Sequence, residues 1–137
     1  MEEIVKDLIR DCDNIIDEID TALKLLGSAS NWGIFDIFSG GAISSYFKYK
    51  KIDDSKKIIM NLNNKMDIFK NKLEYLNRNI DLVDFSEISS LNRFLDIFMD
   101  NIFSDFLAQN SIAENKKKLN VLKSRILYIR SQLIDLK

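Results

Sequence analysis

The chain has 137 residues, 46% hydrophobic and 30% charged, with a net charge of −1. That length suits one domain around one core, and the balance excludes both a disordered chain and one drawn strongly to polyanions. Histidine and proline are absent and Cys12 is the only cysteine, so internal disulfides and the usual Cys/His zinc sites are excluded.

The N-terminus, MEEIVKDLIRDCD, is acidic and amphipathic, unlike the basic start and continuous apolar run of a secretion signal. No stretch approaches the ~20 apolar residues of a membrane span. A cytoplasmic protein is the expectation.

The first helix is expected over 2–26. Leu8, Cys12, Ile15, Ile19, Ala22 and Leu26 recur at steps of three and four, and Val5, Ile9, Ile16 and Leu23 widen that stripe. Gly27 reads as its C-cap and residues 28–31 as loop. A second helix is expected over 52–83, where Ile52, Ser55, Ile59, Leu62, Met66, Phe69, Leu73, Leu76, Ile80 and Val83 alternate strictly. Their 3.5-residue period predicts left-handed, near-antiparallel packing. Residues 84–90 interrupt it, and a third helix follows over 90–108, with an apolar arc wider than a core-facing stripe because Ile97, Phe103 and Leu107 extend its flanks. The fourth, over 111–136, opens on the capping box Ser111 to Glu114 and places Leu119, Leu122, Ile126, Ile129 and Leu133 on one stripe with Asn115.

Residues 2–26 are strongly acidic and residues 111–137 strongly basic, which favours their being neighbours. The expected fold is therefore all-α: a four-helix up-down-up-down bundle over 1–137, with a short helical, glycine-containing cap at 31–51.

Without histidine, the Ser-His and Cys-His activation schemes and the Glu-x-x-His motif of di-iron bundles are excluded. No catalytic, cofactor or metal residues are assigned, and no enzymatic activity is expected. Asp13/Asp17 and Asp96/Asp100 stand four apart and could hold a divalent cation only with further oxygen ligands, so a solvated face is the preferred reading. Cys12 lies on the core stripe and reads as a small buried hydrophobe. Lysines cluster at 48–57 and at 116–118. Asp53 and Asp54 interrupt the first cluster and the chain is slightly acidic, so nucleic-acid binding is not expected.

The stretch NWGIFDIFSGGAISSYFKYKK, Asn31 to Lys51, holds the only tryptophan and three of the four glycines. A short helix over 32–38, a break at Gly40 and Gly41, and a segment folded over one bundle end are expected. The preferred role is a hydrophobic plug. Second is a surface docking a partner protein, and third an interfacial membrane contact, aromatic on one side with lysines following.

Trp32-Gly33, Asp36, Ser39-Gly40-Gly41, Ser44-Ser45, Lys48 and Lys51-Ile52-Asp53-Asp54 resemble a motif of uncharacterised helical proteins of low-GC bacteria. That motif carries histidine near Tyr49, where this chain has none. The resemblance implies a bacterial cytoplasmic helical protein and brings no activity with it.

The functional expectation is a non-enzymatic interaction protein. It would bind a partner protein or self-associate through the 31–51 segment and the third helix. The candidate contacts are Trp32, Phe35, Asp36, Gly40, Gly41, Tyr46, Lys48, Ile97, Phe103 and Leu107. The alternative is a binder of a small amphipathic ligand in a pocket at the bundle end.

Overall fold

The computed structural model of the chain describes residues 2–39, 42–79, 93 and 112–136, with side chains described at 3–28, 50–78, 93 and 112–136. The described residues are helical apart from a turn at Leu136, and no strand occurs among them. Three long helices emerge: α1 (Glu2–Ser39), α2 (Ala42–Asn79) and α3 (Ile112–Asp135).

Each helix buries the stripe that its spacing defines. On α1, Val5, Leu8, Cys12, Ile15, Ile19, Ala22 and Leu26 are buried, while Ile9, Ile16 and Leu23 pack half-buried beside them. On α2 the run from Ile52 through Leu76 is buried, including Ser55, whose hydroxyl donates to the Ile52 carbonyl at 2.6 Å. That internal bond lets a polar residue occupy a core position without an unsatisfied group. Asn115, Leu119, Leu122, Ile126, Ile129 and Leu133 line the inner face of α3.

Ion pairs fix the directions. Lys72 Nζ reaches Asp7 and Asp11 at 3.0 and 2.8 Å, and Lys65 Nζ reaches Glu18 at 2.6 Å. Asn61 donates to the same Glu18 oxygen at 2.9 Å. The α1 number rises as the α2 number falls, and the midpoint of every pair lies between residues 39 and 42. The two helices therefore form an antiparallel hairpin whose turn is where α1 ends and α2 begins. Arg130 meets Asp13 at 2.7 Å and Lys123 meets Asp20 at 2.8 Å, so α3 is also antiparallel to α1. The acidic first helix and the basic last helix are neighbours, as their charges suggest. Both α2 and α3 pack on α1, and among the described residues their backbones do not approach each other closely.

Two expectations about the 27–51 region are overturned. Gly27 does not cap a helix: α1 runs through it and through residues 28–31 to Ser39. A glycine inside a helix costs ~1 kcal/mol relative to alanine, which weakens a helix without ending it. Nor does the segment form a separate short helix folded over the bundle, because α1 is unbroken to Ser39 and α2 from Ala42. With both arms extended, α1 and α2 have 38 residues each and neither overhangs the other. Each arm supplies what the other lacks locally, a long antiparallel partner. The expected helix over 90–108 lies outside the described residues except for Arg93, which is helical.

Candidate functional site at the hairpin end

The register of the ion pairs shows what the 31–51 segment is. Asp20 is level with Lys123, so Ile112, where α3 begins, is level with residue 31 of α1 and, through the hairpin, with residue 50 of α2. Beyond that level α1 continues for eight residues to Ser39, or ~12 Å at the helical rise. The segment is thus the last turns of α1 and the first turns of α2, running past the start of α3. Trp32, Phe35 and Asp36 lie on one arm and Tyr46 and Lys48 on the other, so the structure brings these five candidates to one end of the molecule. Gly40, Gly41, Ile97, Phe103 and Leu107 lie outside the described residues.

Continuing the buried spacing into the arms gives the motif a physical meaning. After Leu26 the inner-seam register passes through Ala29, Gly33 and Asp36, and before Ile52 it passes through Lys48 and Ser45. The positions that continue this spacing in sequence are small or charged, where the stripe farther along each helix holds Leu, Ile and Phe. Trp32, Ile34, Phe35, Phe38, Ile43, Tyr46 and Phe47 all fall off it.

The same end gathers cations. Lys24 of α1, Lys57 of α2 and Lys117 of α3 are level to within about two residues, or ~3 Å, and each is exposed. Lys50 is exposed nearer the turn, with Lys51, Lys56 and Lys116 half-buried between. None of these seven makes an ion pair among the described residues. Farther from the turn Lys65, Lys72, Lys123 and Arg130 are all paired. Among the described residues the acids at the hairpin end are Asp36, Asp53, Asp54 and Glu114, the last pairing with Lys118 at 3.6 Å. Two lysine runs some sixty residues apart in sequence therefore form one collar.

The remaining sequence candidates have structural roles. Asp13 is held by Arg130, and no group of three acidic or Cys residues suited to a metal occurs among the described residues. Asp96 and Asp100 lie outside them. Cys12 is fully buried, and burial pushes its thiol up to about 12. The hydrogen bond from Lys72 holds the Asp7 carboxyl below its usual range, while Asp11 and then Asp7 raise the Lys72 ammonium. No helix among the described residues is long and apolar enough to cross a membrane.

Sequence reading missed one surface. Val121, Leu127, Tyr128 and Ile134 are exposed on the outer face of α3, beside Asn120, Ser124 and Ser131. Arg125 is the one charged residue among the exposed positions of α3 from 120 to 134, whereas the outer face of α1 carries Asp13, Asp17, Asp20 and Lys24. Counting the face opposite each stripe, as well as the stripe itself, would have found it.

Comparison with family models, curated proteins and solved structures returned no match. The resemblance of the Trp32–Asp54 motif therefore stands on the residues quoted for it.

Proposed function

We propose that this protein is a non-enzymatic four-helix bundle of the bacterial cytoplasm that works by association, with the hairpin end over 31–51 as its contact site. One observation carries this reading. In the 3-4 sequence spacing continued from Leu26 and Ile52, the motif puts small or charged residues in the stripe register and large apolar and aromatic residues at the other positions. A core-only segment would place its bulk on the seam, as α1 and α2 do from Leu26 and Ile52 onward. The fourth helix is part of the same reading. Two helices that are parallel to each other and pack on α1 without close backbone approach between them suit diagonal corners of a square bundle. The apolar 90–108 segment suits the vacant corner, with Ile97, Phe103 and Leu107 on its flanks available to a partner protein or a second copy.

Photo-crosslinking residues placed at Phe35 or Tyr46, with Lys6 at the opposite end as control, test the contact site in living cells. Adducts are expected from the two hairpin positions and not from Lys6. Equal yields from all three would overturn the assignment. Retention of a small hydrophobic molecule through native mass spectrometry, without crosslinks, would favour the ligand-binding alternative.

A further inference from the structure

We infer that the outer face of α3 pairs with the same face of a second copy of this chain, the two helices antiparallel about a two-fold axis. This contact is separate from the hairpin end, so either can fail without the other.

Two stripes run along α3. The buried one extends from Asn115 to Leu133. The other, Lys117, Val121, Ser124, Tyr128, Ser131 and Asp135, repeats the same steps of three and four, and every member is exposed. At ~100° per residue it lies on nearly the opposite side of the helix from the first. A helix that packs on the buried stripe therefore leaves this one uncovered. Val121 and Tyr128 are 39% and 41% exposed, and Leu127 beside them is 46% exposed. A solvated face carries charges at such positions, as α1 does at Asp13, Asp17, Asp20 and Lys24. Apolar and small residues at this spacing instead suit a helix laid alongside.

The stripe is complementary to itself when reversed. Counting from opposite ends matches Lys117 with Asp135, Val121 with Ser131 and Ser124 with Tyr128 of the second copy. Symmetry makes each match twice. A base then meets an acid at both ends of the contact, and each large side chain meets a serine. Lys117 and Asp135 make no ion pair among the described residues. The hydroxyls of Ser124 and Ser131 donate to their own helix, to the Asn120 carbonyl at 3.1 Å and the Tyr128 carbonyl at 2.7 Å. They can be covered without losing a hydrogen bond, as Ser55 is in the core.

The flanks are compatible with the same register. Leu127 meets its own copy near the axis, and Ile134 meets Asn120. Lys118, Lys123 and Arg130 are each held by an acid of their own chain. Arg125 faces its own copy, one unfavourable pair against two favourable ones, and it is already engaged within its chain. A parallel pairing would set Lys117 on Lys117 and Tyr128 on Tyr128, so charge and size both select the antiparallel one. From Lys117 to Asp135 the contact spans ~27 Å of helix, and one helix pair of that length falls in the weak, reversible class.

Sedimentation of the purified full chain at micromolar and higher concentration, together with cysteine crosslinking, tests the pairing. Cys12 is fully buried and leaves a clean background. Mixed Ser124→Cys and Tyr128→Cys proteins should form a mixed disulfide dimer faster than either variant links to itself. Lys117→Asp and Asp135→Lys should each weaken association by about tenfold, and combining them should restore it. Tyr128→Lys should abolish this dimer with the melting temperature near wild type. Self-association through Ile97 and Leu107 would also raise the mass, but would not respond to these variants. The inference is overturned if each cysteine variant links to itself as fast as the mixture links. It is equally overturned if the combined charge reversal is as weak as the single ones. A wild type that stays monomeric throughout overturns it too, and a lower melting temperature for Tyr128→Lys would then show that the chain covers this face itself.

Discussion

Cys12 and Gly27, fifteen positions apart on α1, illustrate how context decides a residue's role. Cys12 is fully buried and its thiol is pushed up to about 12 by that burial, with Asp13 and Asp11 adding to the rise. In the unfolded chain it would ionise near the ordinary thiol value of 9.0. The raised folded pKa means no penalty below pH 9, and a loss of stability as pH climbs from there toward about 12. That loss should amount to about 1.4 kcal/mol per pH unit. Cys12→Ala should cost about 1 kcal/mol at pH 7 through lost packing. Its deficit relative to wild type should then shrink between pH 9 and 10, measured by urea unfolding. A thiol reagent should modify native protein no faster than global unfolding allows. Gly27 gives the opposite case. A Cβ built there meets nothing within 4 Å, and the helix continues on both sides. Gly27→Ala should therefore stabilise by up to ~1 kcal/mol, raising the melting temperature. A lower melting temperature would contradict the unbroken α1.

At the scale of elements, stripes were legible and ends were not. Every residue of the strict alternation on α2 from Ile52 to Leu76 is buried, and the α3 stripe is buried from Asn115 to Leu133. Periodicity succeeds because each position is set by the same helical geometry as its neighbours. Termination is harder to read, since Gly27-Ser28-Ala29-Ser30-Asn31 holds residues common in caps. What carries α1 onward is an antiparallel arm supplied by α2 more than ten residues later, a tertiary effect that no local signal contains. The meaning of Gly33, Asp36, Ser45 and Lys48 was hidden for the same reason, because a seam exists only once two helices are in register. Charge was more informative: the acids of α1 predicted α3 as a neighbour, though not that α2 shares them through Lys72. That lysine bridges Asp7 and Asp11, two like charges one turn apart, and relieves their repulsion. Its folded pKa is raised, so its contribution is full below the ordinary lysine value of 10.5 and fades as pH rises through the folded value. The Asp7 pKa is lowered, so its share is full above 3.8 and fades as pH falls. Lys72→Met should lower the melting temperature at pH 7, by less at pH 3 or in high salt. A deficit independent of both would show that the lysine acts through packing alone.

For the whole molecule, the decisive question is how much apolar surface the three described helices leave for the 90–108 segment to cover. Relative to Leu91 its apolar residues span roughly 280° of a helical wheel, whereas a corner of a bundle needs a stripe a little over ~100° wide. On α2 and α3, Phe69, Leu73, Ile126 and Ile129 are buried to 1% exposure or less. Residues on the flanks of the 90–108 arc would then be left over, and monomers seldom keep large apolar areas in water. Self-association through Ile97 and Leu107 is the expected consequence. It should behave differently from damage to the core. Leu107→Lys should shift sedimentation at micromolar concentration toward monomer while the melting temperature, measured at low concentration, stays near wild type. Ile126→Ala, which opens a cavity, should cost about 2–5 kcal/mol of stability and leave association intact below the transition. A wild type that remains monomeric at every concentration, with Leu107→Lys unfolding as Ile126→Ala does, would place that whole arc inside the bundle. Association would then rest on the hairpin end alone.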